Sequence, residues 1–229
     1  MKHSFIRGLY FAVILFIFIT CGEKDDLPYI EPGGGTEKGL YLGILGFNET
    51  IYPRPISALS RDNKDQFQSF INRLTTEPAT GLYYSVDNAI NMLKAATKPN
   101  DLVNVSIVTF TDGLDNVSIE LNTKYSSRDA YRDAVNNRIR TTKIENLNIN
   151  AYSIGIRGGD VSDVTAFRAG LNALASNSSN AYEVTSMSEV NSRFSEIAGS
   201  LYNEIRTQSV KLRIPGGYED EPKYGLLLT

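Results

Sequence analysis

Hydrophobic and polar positions change their spacing several times along this chain, and each change marks an element. Leu9 to Ile19 is an unbroken apolar run, preceded by Lys2, His3 and Arg7 and closed by Thr20-Cys21. Residues 22–38 are polar and interrupted by Pro28, Pro32 and Gly33-Gly34-Gly35, the composition of a tether. From Leu40 to Phe47 an apolar run of strand length leads to the turn-like Asn48-Glu49-Thr50, and Ile51 to Leu59 reads as a second strand. Pro53 and Pro55 have no N–H for a ladder, which predicts that this second strand lies at a sheet edge. Phe67, Phe70, Ile71 and Leu74 then recur at helical spacing, as do Leu82, Val86, Ala89, Ile90 and Leu93 after the break at Pro78-Ala79-Thr80-Gly81.

The second half alternates strand and helix signals. Val103 to Phe110 is apolar enough for a central strand and ends in Thr111-Asp112-Gly113. A helix is expected from about Ser127 to Glu145, with Ser126 and Asp129 at its start resembling a capping box. Ile149 to Ile156 is a strand closed by Arg157-Gly158-Gly159, Val164, Phe167, Leu171 and Leu174 form the next helical stripe, and Ala181 to Val184 is a short strand. Ser186 and Glu189 cap a long helix through Val190, Phe194, Ile197, Leu201 and Ile205. The pattern implies an α/β fold: a doubly wound, mostly parallel sheet with helices on both faces and an antiparallel edge strand. Ligands of such folds sit at the carboxyl ends of the strands. Beyond Thr207, Val210, Leu212 and Ile214 alternate like a strand and Tyr224 to Thr229 is again apolar. Residues 208–229 therefore read as a β segment outside the α/β core, the possible start of a second module.

The amino end has the parts of a secretory leader: a basic start, a short apolar stretch and a small-residue exit. The apolar run is shorter than the ~20 helical residues needed to span a bilayer. Cys21 is the single cysteine, so no internal disulfide forms. Phe18-Ile19-Thr20-Cys21 resembles a bacterial lipobox, with Thr20 in place of the usual Gly, Ala or Ser, and the acidic tract that follows resembles a surface-export signal of some bacterial lipoproteins. The expected organisation is a leader over 1–20, a tether over 21–38 carrying a lipid on Cys21, a domain over 39–207 and the terminal β segment. The expected location is the bacterial cell envelope, lipid-anchored: outer membrane, periplasmic or surface-exposed.

Loss of Lys2 and Arg7 with the leader leaves 21 basic residues against 26 acidic, so nucleic acid is not an expected partner. His3 is the only histidine, and it too lies in the leader. A processed chain therefore has neither histidine nor free thiol, which excludes Ser-His and Cys-His nucleophilic sites and histidine-ligated zinc. An enzyme is not expected.

Three segments together resemble the von Willebrand factor A domain over about residues 39–206. Ile107-Val108-Thr109-Phe110-Thr111-Asp112-Gly113 is similar to that family's strand and Thr-Asp-Gly signature, Thr80-Gly81-Leu82-Tyr83 to its threonine loop, and Ala151-Tyr152-Ser153-Ile154-Gly155-Ile156 to its following strand. The resemblance implies a Rossmann-like fold with a divalent cation, usually magnesium, at the strand tips. Its ligands come from an Asp-x-Ser-x-Ser motif after the first strand, the loop threonine and the Asp of Thr-Asp-Gly. Thr80 and Asp112 match the last two, and the first motif is missing.

Two alignments are open. In one, Gly46-Phe47-Asn48-Glu49-Thr50 takes the place of the missing motif. In the other, Leu40 to Phe47 is the family's second strand, Ile51 to Leu59 its edge partner, and the first strand and helix are absent. Two helices and two strands between the motif and the threonine loop need roughly 50 residues, and Thr50 to Thr80 spans 30, which favours the second alignment. The expected metal site is Thr80 with Asp112, weak or vestigial for magnesium, within a ligand-binding rim of Asn48, Glu49, Thr50, Thr80, Asp112 and Asp115. The functional expectation is a lipid-anchored, non-catalytic module engaging a protein or glycan at the envelope. The alternatives are an envelope hydrolase using Asp112 with Asp115, and a truncated, degenerate product without activity.

Overall fold

The computed structural model describes residues 12–20, 40–75, 79–99, 102–157, 161 and 163–212. Cys21, the tether, Gly158-Gly159 and residues 213–229 lie outside these. A seven-stranded sheet with the order β3-β2-β1-β4-β6-β5, and β7 beside β6, organises the chain. Its first strand, β1, is Ala12–Thr20, the segment expected as a leader. β1 lies between β2 (Leu40–Phe47) and β4 (Leu102–Thr111) and is antiparallel to both. The domain boundary at residue 39 therefore needs correction, because the sheet draws a central strand from before it. Continuous apolar runs suit buried strands as well as leaders, so hydropathy alone did not separate the two.

β2 turns back through Asn48-Glu49-Thr50 into β3 (Ile51–Ala58), an antiparallel edge strand on which Pro53 and Pro55 are exposed. β6 (Leu147–Ile156) pairs parallel with β4, and β7 (Ala181–Val184) pairs parallel with β6. The expected parallel sheet is thus realised in β4-β6-β7, whereas β1, β3 and the short β5 (Lys143–Ile144) run against their neighbours. β5 corrects the expected helix end. α4 (Arg128–Thr141) stops early, and Glu145 and Asn146, with φ of 47° and 69°, make the two-residue turn that joins β5 to β6. The cap of α4 is Ser127, whose hydroxyl accepts from the Ala130 N–H at 3.1 Å, one residue later than the expected Ser126.

Alternate strand residues feed two helical layers. Leu45, Val105, Ile107, Ile149 and Ala151 pack with α2 (Leu82–Ala95) and α4 through Val86, Leu93, Tyr131 and Ile139. On the other face Val108, Phe110, Tyr152 and Ile154 meet Val190, Ile197 and Leu201 of α6 (Met187–Leu212). Ile44 on that face packs with Phe67 of α1 (Lys64–Ile71). α5 (Val164–Ala173) lies closely against β6 because Gly155 has no side chain; a Cβ there would sit 2.6 Å from the Phe167 ring.

α6 has its expected start, with the Glu189 N–H donating to the Ser186 hydroxyl at 3.2 Å and the Glu189 carboxylate accepting from the Thr185 N–H at 2.8 Å. It continues through Leu212, so Ser209–Leu212 is helix and not the expected strand. Leu201, Ile205 and Leu212 also recur at helical spacing, and three alternating residues are too few to override a helix already under way. Among the described residues no helix is long and apolar enough to cross a membrane.

Candidate functional site

β2, β4, β6 and β7 share one direction, so their carboxyl ends lie along one rim. There β2 delivers Asn48-Glu49-Thr50, β4 delivers Thr111-Asp112-Gly113, and β6 delivers Arg157. Arg157 and Arg168 both engage Glu183 of β7, at 2.6 and 2.5 Å, and hydrogen bonds from the guanidinium of Arg168 first, then Arg157, hold its carboxyl below the ordinary value.

Asn48 organises the first loop. Its Oδ1 accepts the Thr50 N–H at 2.7 Å, an Asx turn that reverses the chain into β3. Its carbonyl accepts the Gly81 N–H at 2.8 Å, and a Cβ on Gly81 would lie only 3.0 Å from that oxygen. Glycine therefore permits the close approach of the threonine loop to the end of β2. Asn48 is buried, and its Nδ2 has no hydrogen-bond partner among the described residues. Glu49 and Thr50 are exposed on the outer side of the turn.

The threonine loop is zipped to the segment after β4. The Thr80 N–H donates to Asn116 Oδ1 at 2.6 Å, and the Thr80 carbonyl accepts from the Asn116 N–H at 2.9 Å. The Thr80 hydroxyl lies 3.6 Å from the position a Gly113 Cβ would take, so Thr80 and the Asp112-Gly113 tip are neighbours. Asn48, Thr80 and Asp112 thus meet at one rim, although they come from three separate stretches of chain. Thr80 does not cap α2; the N-cap position is Gly81.

The cap comes from the other side of the rim. The first N–H groups of a helix have no partner within it. Asp115 Oδ1 accepts the Tyr83 N–H at 3.3 Å, and the hydroxyl of Ser118, which starts the short helix α3 (Ser118–Leu121), accepts the Tyr84 N–H at 3.0 Å. Ser118 in turn donates a short hydrogen bond to Asp115 Oδ1. Arg128 Nε is 3.7 Å from Asp115 Oδ2, which accepts no hydrogen bond among the described residues. Asp115 is only 2% exposed, and burial pushes its carboxyl above the ordinary value, against the opposing effects of Ser118, Tyr83 and Arg128. Burial, and then the Asp115 charge, likewise raise the Tyr83 phenol. Between these groups and Phe167 lies a cavity of about 10 Å³, room for a single water.

Asp115 is therefore the cap of α2, facing away from the exposed rim. Asn116 and Ser118, which tie the loops together, carried no signal in the pattern beyond an Asp-Asn-x-Ser run after Thr-Asp-Gly. For a cation, Thr80 and Asp112 offer one hydroxyl and one carboxylate, and Glu49 is an exposed acid on the turn after β2. Among the described residues no group of three or more His, Cys, Asp or Glu is placed to hold a metal. β1 ends with Thr20 opposite Leu102, at the end of the sheet far from the rim. This donor set does not fit a tight magnesium site, which needs near-octahedral oxygen coordination.

No family model, curated protein or solved structure matches this chain.

Proposed function

We propose that this protein is a lipid-anchored, non-catalytic binding or scaffold module of von Willebrand factor A type, engaging a protein or glycan at the bacterial envelope through the rim at the ends of β2 and β4. The observation that carries this reading is the bonding of the three rim loops to one another, Gly81 to Asn48 and Thr80 to Asn116, which holds exposed Glu49, Thr50 and the Asp112-Gly113 tip on a fixed platform. A preorganised surface loses little entropy when a partner docks. The lack of histidine and of a free thiol in the processed chain supports a binding role over catalysis, and the commitment of Asp115 to α2 leaves Asp112 without the second acid a hydrolase would use.

The experiment compares capture from envelope extracts by the wild type, by Glu49→Arg with Thr50→Asp, and by Pro53→Ser on the edge strand. Capture is expected to be lost only with the rim pair. Equal capture by all three chains would overturn the rim as the binding surface. Metabolic labelling with a fatty-acid analogue is expected to tag Cys21 and to fail in Cys21→Ser.

Magnesium plays at most a small part in this reading. Stabilisation by a ligand at its dissociation constant is only ~0.4 kcal/mol. Magnesium at about 1 mM is therefore expected to raise Tm by no more than about one degree, and partner capture is expected to survive EDTA. A larger rise that Asp112→Ala abolishes would restore a metal-dependent mechanism.

A further inference from the structure

β1 belongs to two states that exclude each other. In the fold, Ala12–Thr20 is paired along both edges, with Ala12 to Ile19 opposite Phe47 to Leu40 and Val13 to Ile19 opposite Phe110 to Asn104. In the sequence, the same residues form the apolar part of a leader that ends at Thr20-Cys21. Removal of that leader takes the middle out of the sheet.

The gap would not be a minor one. β2 and β4 are each one strand spacing from β1, so about 9.6 Å separates them, too far for direct ladder bonds. Both lie deep in the protein, with Ile44, Leu45 and Ile107 fully buried. Two fixtures also hold β2 at this distance: the Gly81–Asn48 hydrogen bond at the rim, and α2, which lies across both β1 and β2. Two facing rows of unpaired N–H and C=O groups form a template that an extended segment completes. Nothing in the topology requires that segment to come from the same chain. It is antiparallel to both neighbours, so no crossover fixes it, and residues 21–39 separate it from β2 in the sequence.

We propose that the slot between β2 and β4 is a strand-acceptor site. It takes an uncharged, proline-free, β-branched and aromatic-rich segment of about eight residues, antiparallel to both walls. Ala12–Thr20 fills it in the full chain. In a chain cleaved after Thr20, a segment of the same chemistry supplied in trans fills it; this half rests on the lipoprotein reading above.

The test uses the full chain with a protease site placed in the tether. After cleavage, the tagged amino-terminal fragment is removed in urea and the remainder is refolded with and without a synthetic peptide of residues 11–20 flanked by lysines. The expected result is refolding only with the peptide, at one peptide per chain, with slow amide exchange in β2 and β4. A peptide carrying Phe16→Pro loses a ladder donor and is expected to bind at least about tenfold more weakly. Refolding without peptide to the Tm of the uncut chain would overturn the proposal. Failure to refold with the peptide, where the uncut chain refolds, would overturn it equally. The labelling of Cys21 is scored separately: a labelled chain whose slot rejects the peptide counts against the acceptor alone, and a working acceptor in an unlabelled chain counts against the lipoprotein reading alone.

Discussion

Phe16→Pro in the full chain is expected to cost about 3 kcal/mol, the largest effect of any single substitution proposed for this protein, because it leaves a ladder acceptor unsatisfied and its ring disturbs the strand. Phe16 is in the middle of β1, opposite Gly43 on one side and Ile107 on the other. In a strand bonded on both edges every N–H has a partner, so proline at any interior position removes a bond and its ring disturbs the next. Total stabilities of domains are ~5–15 kcal/mol, so this loss is a large share of the whole. Thermal unfolding of the purified full chain is expected to show a Tm lower by about 6–12 °C than that of the wild type in the same buffer. The control is internal: β3 already carries Pro53 and Pro55 at the edge, where no neighbour needs their N–H groups. An unchanged midpoint for Phe16→Pro would mean that Ala12–Thr20 is not part of the stable sheet. The measurement also separates a strand from a leader, because a leader has no reason to affect the stability of the domain behind it.

That ambiguity shows what the linear pattern carries and what it omits. β2, β3, β4, β6 and the helices α2, α5 and α6 were legible because each has one periodicity and clear stops, such as Pro53 and Pro55 for the edge and Thr111-Asp112-Gly113 for the end of β4. β1 was not, because the eight successive apolar residues Ala12 to Ile19 satisfy a leader and a doubly covered strand equally. The end of α4 was missed for a local reason: Lys143–Ile144 is only two residues of strand, and the hairpin rests on positive φ at Glu145 as well as Asn146, which a glutamate does not announce. The continuation of α6 through Ser209–Leu212 was missed because helical and strand spacings coincide over so short a run.

The site divides in the same way. Thr80 and Asp112 stand out in the sequence through motif resemblance alone, and the structure places Thr80 beside the Asp112-Gly113 tip. The role of Asp115 was not legible, because the helix N–H it accepts, that of Tyr83, lies 32 residues earlier in the chain. N-cap signals are read from the residue just before a helix, and here that residue is Gly81, which has no side chain to offer. The acid that replaces it is brought there by the crossing of the loop after β4 over the start of α2. A tertiary cap of this kind has no fixed sequence distance.

Asp115 accordingly yields the second large expected effect, and one with a definite pH signature. Asp115→Ala leaves the Tyr83 N–H and the Ser118 hydroxyl without their acceptor in a buried place, at a cost of about 1–3 kcal/mol. Asp115→Asn keeps an Oδ1 acceptor of the same shape and removes the buried charge, so it is expected to stay within about 1 kcal/mol of the wild type at neutral pH. The two substitutions therefore separate the hydrogen bonds from the charge. The sign of the pH effect follows from burial, which raises the carboxyl above its ordinary 3.8 in the folded state. In the window between 3.8 and that raised value the folded chain binds more protons than the unfolded one, so this group adds stability as pH falls. Above the window both states are ionised and the burial penalty is fully present; below 3.8 both are protonated and the gain is complete. Other carboxylates, Glu183 among them, push the opposite way, since a lowered value loses stability on acidification. The informative quantity is therefore the difference between wild type and Asp115→Asn. That difference is expected to move in favour of the wild type as pH is lowered from 7 towards 3.8, measured by urea unfolding at each pH. A difference that moves the other way would mean that Ser118, Tyr83 and Arg128 together outweigh burial, and that the rim is held by an ionised carboxylate.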